Sequence, residues 1–410
     1  MSGPVHLDLG ALLTAAEDAA PVDAIGVFAE HLLHALGATE VSFLIADFSG
    51  GALVRLGHTS RPGDNGRDTA ERVMLAGSPH EQALRTQTVI VEAGEETRLF
   101  APVTNRGEAI GILELVVPHT PDEAALRAVS RAAHTLAYVV IANRRFTDLF
   151  EWGRRSVELS LAAEIQHRLL PGTYTCEAGQ FTLAAWLEPA GDIAGDSFDF
   201  SMERNVLHLS MTDAMGHQVQ AAILATVLVS ALRNARRAGG TLAEQVRLAN
   251  RSLCKHLNRN EFVTGQVVRV DLRREAAIIV NAGHPPPLRL RDGQVETVRL
   301  DADPPFGIDP EQEFRVQEFP LLPGDRLMFV TDGMLERNAA DIDIGALLLQ
   351  GADLHPREAV QRLVQAVVDS AAGALEDDAT VFCLDWHGGP ERERTTEAGS
   401  DEPRPSPRFQ

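Results

Sequence analysis

Four aspartates could take part in chemistry, because each lies at the end of an apolar stretch or in the turn beside one. They are Asp196, Asp213, Asp332 and Asp377. Carboxylates gathered at strand ends repel one another unless a cation neutralises them, so the set predicts a bound metal. Ligation by oxygen atoms alone selects Mg²⁺ or Mn²⁺. Each aspartate taken singly also has an ordinary explanation as a turn or helix-capping residue.

Asp213 has the most informative surroundings of the four. The apolar run at residues 206–211 is typical of a buried strand, and a turn closed by Gly216 follows Asp213. Residues 221–232 then form an apolar helical run. This order would hold Asp213 between a strand and a helix, where hard cations are usually bound. An aspartate that caps the following helix has the same local pattern, so this stretch leaves both interpretations open.

Composition limits the classes of function. A chain of 410 residues with 44% hydrophobic residues can form two or three domains, each with its own core. The formal net charge of −21 argues against nucleic acid or an anionic membrane as the main partner. Three widely spaced cysteines predict neither a disulfide framework nor a thiolate metal site. Without a signal peptide or membrane-span pattern, we expect a cytoplasmic protein.

The first half of the chain predicts one small domain after a short N-terminal segment, residues 1–20. Residues 21–142 run as a helix, strands, a polar Gly-rich loop, further strands and a long helix. This order, with LFAPVTNRGEAIGILELVV as the last two strands, resembles the GAF family of small sensory domains. The resemblance implies an α/β sensor for an unknown small ligand, and it transfers no ligand-binding residue.

A helical pattern then continues through residues 122–170, longer than one globular helix needs. Positions separated alternately by four and three residues are mostly apolar, as in a coiled coil. They are Val129, Ala133, Leu136, Val140, Asn143, Thr147, Phe150, Arg154, Val157 and Leu161. We therefore predict a helical connector at 143–170 that pairs in a parallel homodimer. Two ordinary helices packed on their own domains remain the alternative.

The second half of the chain predicts strands, two helices, a strand meander and a last strand, within a domain at residues 171–387. The remaining residues, 388–410, contain almost no apolar side chains and predict a disordered tail. The predicted fold class of the whole chain is α+β, with a sensor, a connector and a C-terminal domain.

Six motifs in the second half resemble, in order, those of the metal-dependent PPM-type (protein phosphatase 2C-like) serine/threonine phosphatases, and specifically the bacterial SpoIIE-like branch. The motifs are AAEIQHRLLP, PAGDIAGDSFDF, TDAMGHQVQAAIL, FVTGQVVRVDLRREAAIIVNAGHPPPLRL, FVTDGMLE and DDATVFCL. The fold that this resemblance implies is an αββα sandwich, in which two stacked sheets are flanked by helices.

The resemblance also implies a site with two Mn²⁺ or Mg²⁺ ions and roles for its residues. Asp213 would bridge both ions, and the carbonyl of Ala214 would bind one of them. Asp332 and Asp377 would bind the other ion, and Asp196 would hold a metal-bound water. These four aspartates are the predicted catalytic residues.

Two positions depart from the family motif after Asp213. Met215 stands where the family has Ser and Gln218 where it has Gly, so both place bulk beside the predicted metal site. His217 and His284 match family positions, and a structural hydrogen-bonding role is as open for them as a catalytic one.

The function implied is removal of phosphate from phosphoserine or phosphothreonine on a regulatory protein of the anti-anti-sigma type, under control of the GAF-like domain. A Cys-based phosphatase is disfavoured, because no cysteine is followed by five residues and then Arg. The alternative is a non-catalytic signalling scaffold that keeps the phosphatase fold as a binding module. Retention of all four carboxylates favours the enzyme.

Overall fold

The chain forms two compact units in a computed structural model. One unit comprises Met1–Glu158 and Arg394–Gln410, and the other comprises Leu159–Glu393. The structure describes residues 7–48, 50–56, 71–155, 159–190, 195–216, 218–257, 261–335, 342–371, 375–389, 394, 396 and 399–401. We call the two units the N-terminal unit and the C-terminal unit.

The N-terminal unit contains, within its described residues, one antiparallel sheet of six strands. They are β1 (Glu40–Ala46), β2 (Ala52–Leu56), β3 (Arg72–Met74), β4 (Ile90–Glu92), β5 (Thr97–Asn105) and β6 (Glu108–Val117). Their order in the sheet is β3-β2-β1-β6-β5-β4. Alternate residues of the strands, such as Phe43 and Leu113, are buried in the unit's main core.

Helices cover both faces of this sheet. They are α1 (Leu9–Asp18), α2 (Ala24–Leu36), α3 (Pro79–Thr86), α4 (Glu123–Asn143) and α5 (Leu149–Gly153). All but α3 contribute buried residues to the main core, whereas Ala83 of α3 packs with Leu44 and Phe100 in a smaller cluster. A glycine at position 153 allows α5 to approach the sheet, because a Cβ there would lie 2.8 Å from side-chain atoms of Ile45 and Leu56.

The predicted continuous helix through residues 122–170 is wrong. The described part of this stretch holds three separate helices, α4, α5 and α6 (Leu161–Leu169). Val129, Ala133, Leu136 and Val140, the first four positions of the predicted seam, are buried in the core of their own unit. The apolar stripe of α4 is thus covered by the chain's own sheet, and those positions cannot pair with a second copy.

Most of the predicted disordered tail, 388–410, lies outside the described residues. Where it is described, Gly399 accepts a hydrogen bond of 3.0 Å from the backbone N–H of Gly107. Arg394 forms an ion pair of 2.8 Å with Asp401. These residues belong to the N-terminal unit.

The C-terminal unit contains two antiparallel sheets in its described residues. The strands are β7 (Thr175–Glu177), β8 (Phe181–Glu188), β9 (Asp196–Met202), β10 (Val206–Ala214), β11 (Val263–Asp271), β12 (Ala276–Ala282), β13 (Leu288–Arg291), β14 (Gln294–Thr297), β15 (Gln317–Pro320), β16 (Arg326–Val330) and β17 (Ala379–Trp386). One sheet has the order β15-β12-β11-β10-β9 and the other β14-β13-β16-β17-β8-β7. Their inner faces share one core, to which Phe198, Leu209, Phe329 and Phe382 contribute.

Four further helices complete the described layers: α7 (Gln218–Arg237), α8 (Leu242–Cys254), α9 (Ile344–Gln350) and α10 (Pro356–Ser370). The first two pack on the outer face of the β9–β12 sheet, and the last two on the outer face of the other sheet. The layer order is helix, sheet, sheet, helix, and α6 packs against α7. Among the described residues, no helix combines the length and apolar character needed to cross a membrane.

Candidate active site

The core between the two sheets of the C-terminal unit becomes polar at one end. Asp196, the first residue of β9, is paired directly with Asp213, which lies one residue before the end of β10. Thr264 of β11 is the partner of Asp213 on its other side. Because side chains alternate along a strand, Asp196 and Asp213 share the inner face with Phe198 and Met211. The structure therefore brings two of the four predicted carboxylates together.

Asp196 is surrounded, among the described residues, by negative and neutral groups rather than by cations. It is 3% exposed, and its Oδ2 accepts a hydrogen bond of 2.8 Å from Thr331 Oγ1. Burial raises the pKa of this carboxyl well above its usual range, and the negative charges of Asp213 and Asp378 raise it further. A cation bound beside Asp196 would offset both effects and favour the ionised carboxylate.

The backbone of Ala214, the predicted carbonyl ligand, lies against Gly195. The N–H of Ala214 donates to the Gly195 carbonyl at 3.0 Å. A Cβ at position 195 would lie 2.5 Å from the carbonyl oxygen of Ala214, so only glycine allows this approach. Residues 191–194, the preceding part of the motif that contains Asp196, lie outside the described residues.

Asp332 and Asp377 lie at neighbouring strand ends of the other sheet. Asp332 opens a short 3-10 helix, Asp332–Met334, directly after β16. The N–H of Thr331 donates to the Thr380 carbonyl at 3.1 Å, and Asp377 precedes Thr380 by three residues. Asp377 Oδ1 accepts the N–H of Asp378 at 3.0 Å.

Asp378 is a buried residue that the sequence analysis missed. It is 1% exposed and accepts the backbone N–H groups of Ala190 at 2.9 Å and Gly195 at 3.1 Å. Burial raises its pKa to about 6. A signal was present, because strand alternation places Asp378 on the same inner face as Thr380 and the buried Phe382.

Gln166 of α6 is the second missed residue. It is 1% exposed, and its Nε2 donates to the Asp196 carbonyl at 2.9 Å and to Asp378 Oδ2 at 2.7 Å. Its position within the buried stripe of α6, between Ala163 and Leu169, was the available signal, since a polar residue on a buried face needs a partner. Through Gln166, α6 contacts the backbone that carries Asp196.

His284 is buried beside the site, whereas His217 lies outside the described residues. His284 is 3% exposed, and its Nδ1 lies 3.0 Å from Thr264 Oγ1. Burial lowers its pKa to about 4, so the ring is neutral at pH 7. A neutral buried imidazole fits a structural role better than proton donation.

The described donors fit a hard cation in type, but they do not enclose one. Gln166 Oε1 is buried without a hydrogen-bond partner among the described residues, and Nε2 of the same side chain donates to Asp378. None of the described groups that shift the pKa of Asp196 is a cation, so a bound divalent ion could supply the counter-charge. In the described part of the chain, no three His, Cys, Asp or Glu side chains converge on one point as metal ligands. The predicted set is therefore assembled only in part.

The second half of the chain is similar to known proteins. Residues 203–387 match the family model described as stage II sporulation protein E (SpoIIE). The phosphoserine phosphatase RsbP of Bacillus subtilis is 23% identical over 188 residues, which cover 45% of this chain and 46% of RsbP. The phosphoserine phosphatase RsbU of the same organism is 20% identical over 233 residues, covering 55% of this chain and 69% of RsbU. The chain thus spans about half of RsbP.

A solved structure also matches part of this chain. The RsbU and RsbW domains of Rv1364c from Mycobacterium tuberculosis are 27% identical to this chain, with a TM-score of 0.47. The match covers 53% of this chain and 63% of that one. The family model and the two B. subtilis proteins indicate what residues 203–387 are similar to.

Proposed function

From the match of residues 203–387 to the SpoIIE family model, we propose that this part of the chain is a SpoIIE-type domain of the PP2C-like phosphatases and that the chain is a metal-dependent protein serine/threonine phosphatase. The observation that carries the proposal is the cross-strand pair of the buried Asp196 and the half-buried Asp213 at adjoining strand ends, where burial and the neighbouring negative charges of Asp213 and Asp378 raise the pKa of Asp196. Phosphate monoesters hydrolyse very slowly unaided, and a site of this kind works mainly by stabilising charge.

We assign the metal-holding roles to the predicted residues. Asp213, the Ala214 carbonyl, Asp332 and Asp377 would hold two Mn²⁺ or Mg²⁺ ions, with Asp196 beside them. Two such ions supply the Lewis acidity that activates a water for in-line attack and stabilises the phosphoryl oxygens.

The chain's own residues then orient the Asp196 carboxylate. The hydroxyl of Thr331 donates to Asp196 and fixes one of its oxygens. Gln166 holds the backbone of Asp196 from the side of α6. The preorganised carboxylate can accept a proton from an attacking water without first reorganising.

The substrate class is a phosphorylated regulatory protein. RsbP and RsbU are both named as phosphoserine phosphatases, which supports phosphoserine or phosphothreonine as the group removed. We propose an anti-anti-sigma factor as the partner, on the strength of the resemblance to the SpoIIE-like branch.

Control by the N-terminal unit is a further part of the proposal. We propose that this unit is a GAF-like sensor and that its signal reaches the site through α6, because Gln166 links α6 to Asp196 and Asp378. Such a switch needs only a few kcal/mol between two states. A homodimer stays a proposal. The apolar residues of α4 do not support it, because they are buried in the core of their own unit.

Hydrolysis of a phosphoserine peptide by the full chain, with and without Mn²⁺, tests the proposed function. We expect Mn²⁺-dependent turnover that Asp332→Asn reduces below about a tenth, because the variant loses one ligand charge. Asp369→Asn, on the exposed face of α10, is the matched control and should keep wild-type turnover.

Two results would contradict the proposal. No turnover by the wild-type chain at saturating Mn²⁺ would favour the non-catalytic scaffold. Full turnover by Asp332→Asn would remove that residue from the site.

A further inference from the structure

His284 lies where the two sheets of the C-terminal unit meet the candidate site. Its backbone is fixed before its side chain is considered. The His284 N–H donates to Asn281 Oδ1 at 2.9 Å, and the carbonyl of the next residue, Pro285, accepts from Gln266 Nε2 at 2.8 Å. Gly283 turns the chain with a φ of 70°. The backbone at His284 therefore has little freedom to move.

One edge of the ring contacts the strand that flanks Asp213. The Nδ1 atom lies 3.0 Å from Thr264 Oγ1, and Thr264 is the direct cross-strand partner of Asp213. The contact between His284 and Thr264 thus lies on the strand next to Asp213, the predicted bridging carboxylate.

The backbone at His284 leads into the second sheet. Residues 283–287 join β12 of one sheet to β13 of the other, and β13 pairs with β16 from Leu288, opposite Met328, which lies two residues before Val330. Val330 ends β16, and the next two residues are Thr331, which bonds Asp196, and Asp332. His284 therefore lies between the two strand ends from which the predicted ligands project.

We propose that His284 is a positioning residue that sets the distance between the strand end carrying Asp213 and the strand end carrying Asp332. This inference rests on the proposed function, since it concerns the same site. His284 acts through Thr264 and through its place in the connection from β12 to β13, and it touches neither substrate nor metal.

Three variants and one control test the proposal in the full chain. His284→Ala removes the ring from the connection between the two sheets, and with it the contact with Thr264. His284→Asn keeps a donor near the Nδ1 position and hence the tie to Thr264, whereas Thr264→Val removes that tie alone. His208→Ala is the control, because His208 is a buried histidine on the same sheet, 5% exposed and about 17 Å along β10 from Asp213 at 3.3–3.4 Å per residue.

The first readout is Mn²⁺ affinity by titration calorimetry. We expect His284→Ala to weaken it at least tenfold, Thr264→Val to weaken it severalfold, and His284→Asn to stay within about threefold of wild type. The control should bind Mn²⁺ as wild type does, whatever stability it loses. Equal Mn²⁺ affinity in wild type and His284→Ala would overturn the proposal, as would an equal loss in the control.

The second readout is amide hydrogen exchange at residues 211–215 without metal. We expect exchange there to be at least tenfold faster in His284→Ala and unchanged in the control. Unchanged exchange in His284→Ala would overturn the proposal. Because this readout needs neither metal nor turnover, the inference and the proposed function can fail separately.

Discussion

Gln218 has a backbone conformation that a glutamine rarely adopts. Its φ is 59°, in the left-handed region, and it is the first residue of α7. The other described non-glycine residues with positive φ are at hairpin turns or, for one, at a helix end, where this conformation is usual: Gln87, Arg106, Glu275 and Asp292. Strain of this kind persists near functional sites when the surroundings enforce it.

Replacing Gln218 by glycine should stabilise the fold. A left-handed residue with a Cβ costs about 1–2 kcal/mol, part of which the greater freedom of glycine in the unfolded chain offsets. We expect Gln218→Gly to raise the free energy of unfolding by about 1 kcal/mol in urea titrations.

Gln87→Gly provides the matched control for this prediction. Gln87 has nearly the same φ, 57°, but directly follows α3 in the other unit. It should give a similar gain in stability and leave hydrolysis unaltered. A loss of stability in Gln218→Gly would mean that its side chain, rather than strain, decides the balance.

His284 should make the stability of the C-terminal unit depend on pH. Its pKa is lowered from 6.5 to about 4 in the fold, so the unfolded chain binds the proton first as the pH falls. The stability that the neutral ring contributes is present above pH 6.5 and is lost as the pH falls toward 4. A shift of this size corresponds to about 3 kcal/mol.

Urea titrations at pH 7 and near pH 4 check this prediction. The raised pKa values of Asp196 and Asp378 act in the opposite direction, so the comparison is between wild type and His284→Asn. Wild type should lose more stability over this range than the variant. Parallel curves for the two chains would show that the buried ring does not titrate as its surroundings imply.

At the scale of elements, α4 shows what the sequence could not decide. Steps of four and three residues are common to a coiled-coil seam and to an amphipathic helix packed on its own sheet. Which surface covers the stripe depends on tertiary contacts, and here Val129 and Leu136 are buried in the core of the N-terminal unit. The pairing of Asp196 with Asp213 was easier to anticipate, because both lie at the ends of apolar strands.

The contact between Gln166 and Asp378 was beyond reach of local patterns. These residues are 212 positions apart, so neither the helix period of α6 nor the strand period of β17 indicates the pair. The sequence marks each residue only as a polar group on a buried face. The hydrogen bond between Gln166 and Asp378 forms only when the fold brings the start of β17 beside α6.

Replacing Gln166 by methionine should separate the α6 contact from general stability. Methionine has a similar shape but donates no hydrogen bond, so Asp378 and the Asp196 carbonyl lose a partner. We expect a loss of about 1–3 kcal/mol in stability and a Mn²⁺ affinity at least tenfold weaker.

Gln180→Met is the control for this change. Gln180 is also buried, and its Nε2 donates to the Leu272 carbonyl at 2.9 Å and the Gly389 carbonyl at 2.7 Å. Its loss should lower stability by a similar amount and leave Mn²⁺ binding intact. The same affinity loss in both variants would argue that α6 has no special connection to the site.

At the scale of the whole molecule, the chain leaves the N-terminal unit and returns to it. Leu159–Glu393 forms the C-terminal unit, and the residues from Arg394 onward belong again to the first unit. The return depends on Gly399, because a Cβ there would collide with the Thr104 carbonyl and with His134 Nδ1. We expect Gly399→Val to detach this segment, seen as faster amide exchange at Gly107.

The contact between Gly399 and Gly107 is non-covalent, and this matters if the chain is cleaved just before Arg394. Suppose that a protease site is introduced within residues 390–393 and cleaved. The peptide bond between Glu158 and Leu159 still joins the two units. The released end stays attached only through contacts such as the one between Gly399 and Gly107. A native mass measurement should then find one particle where a denaturing gel finds two fragments, and Gly399→Val should make the short fragment dissociate.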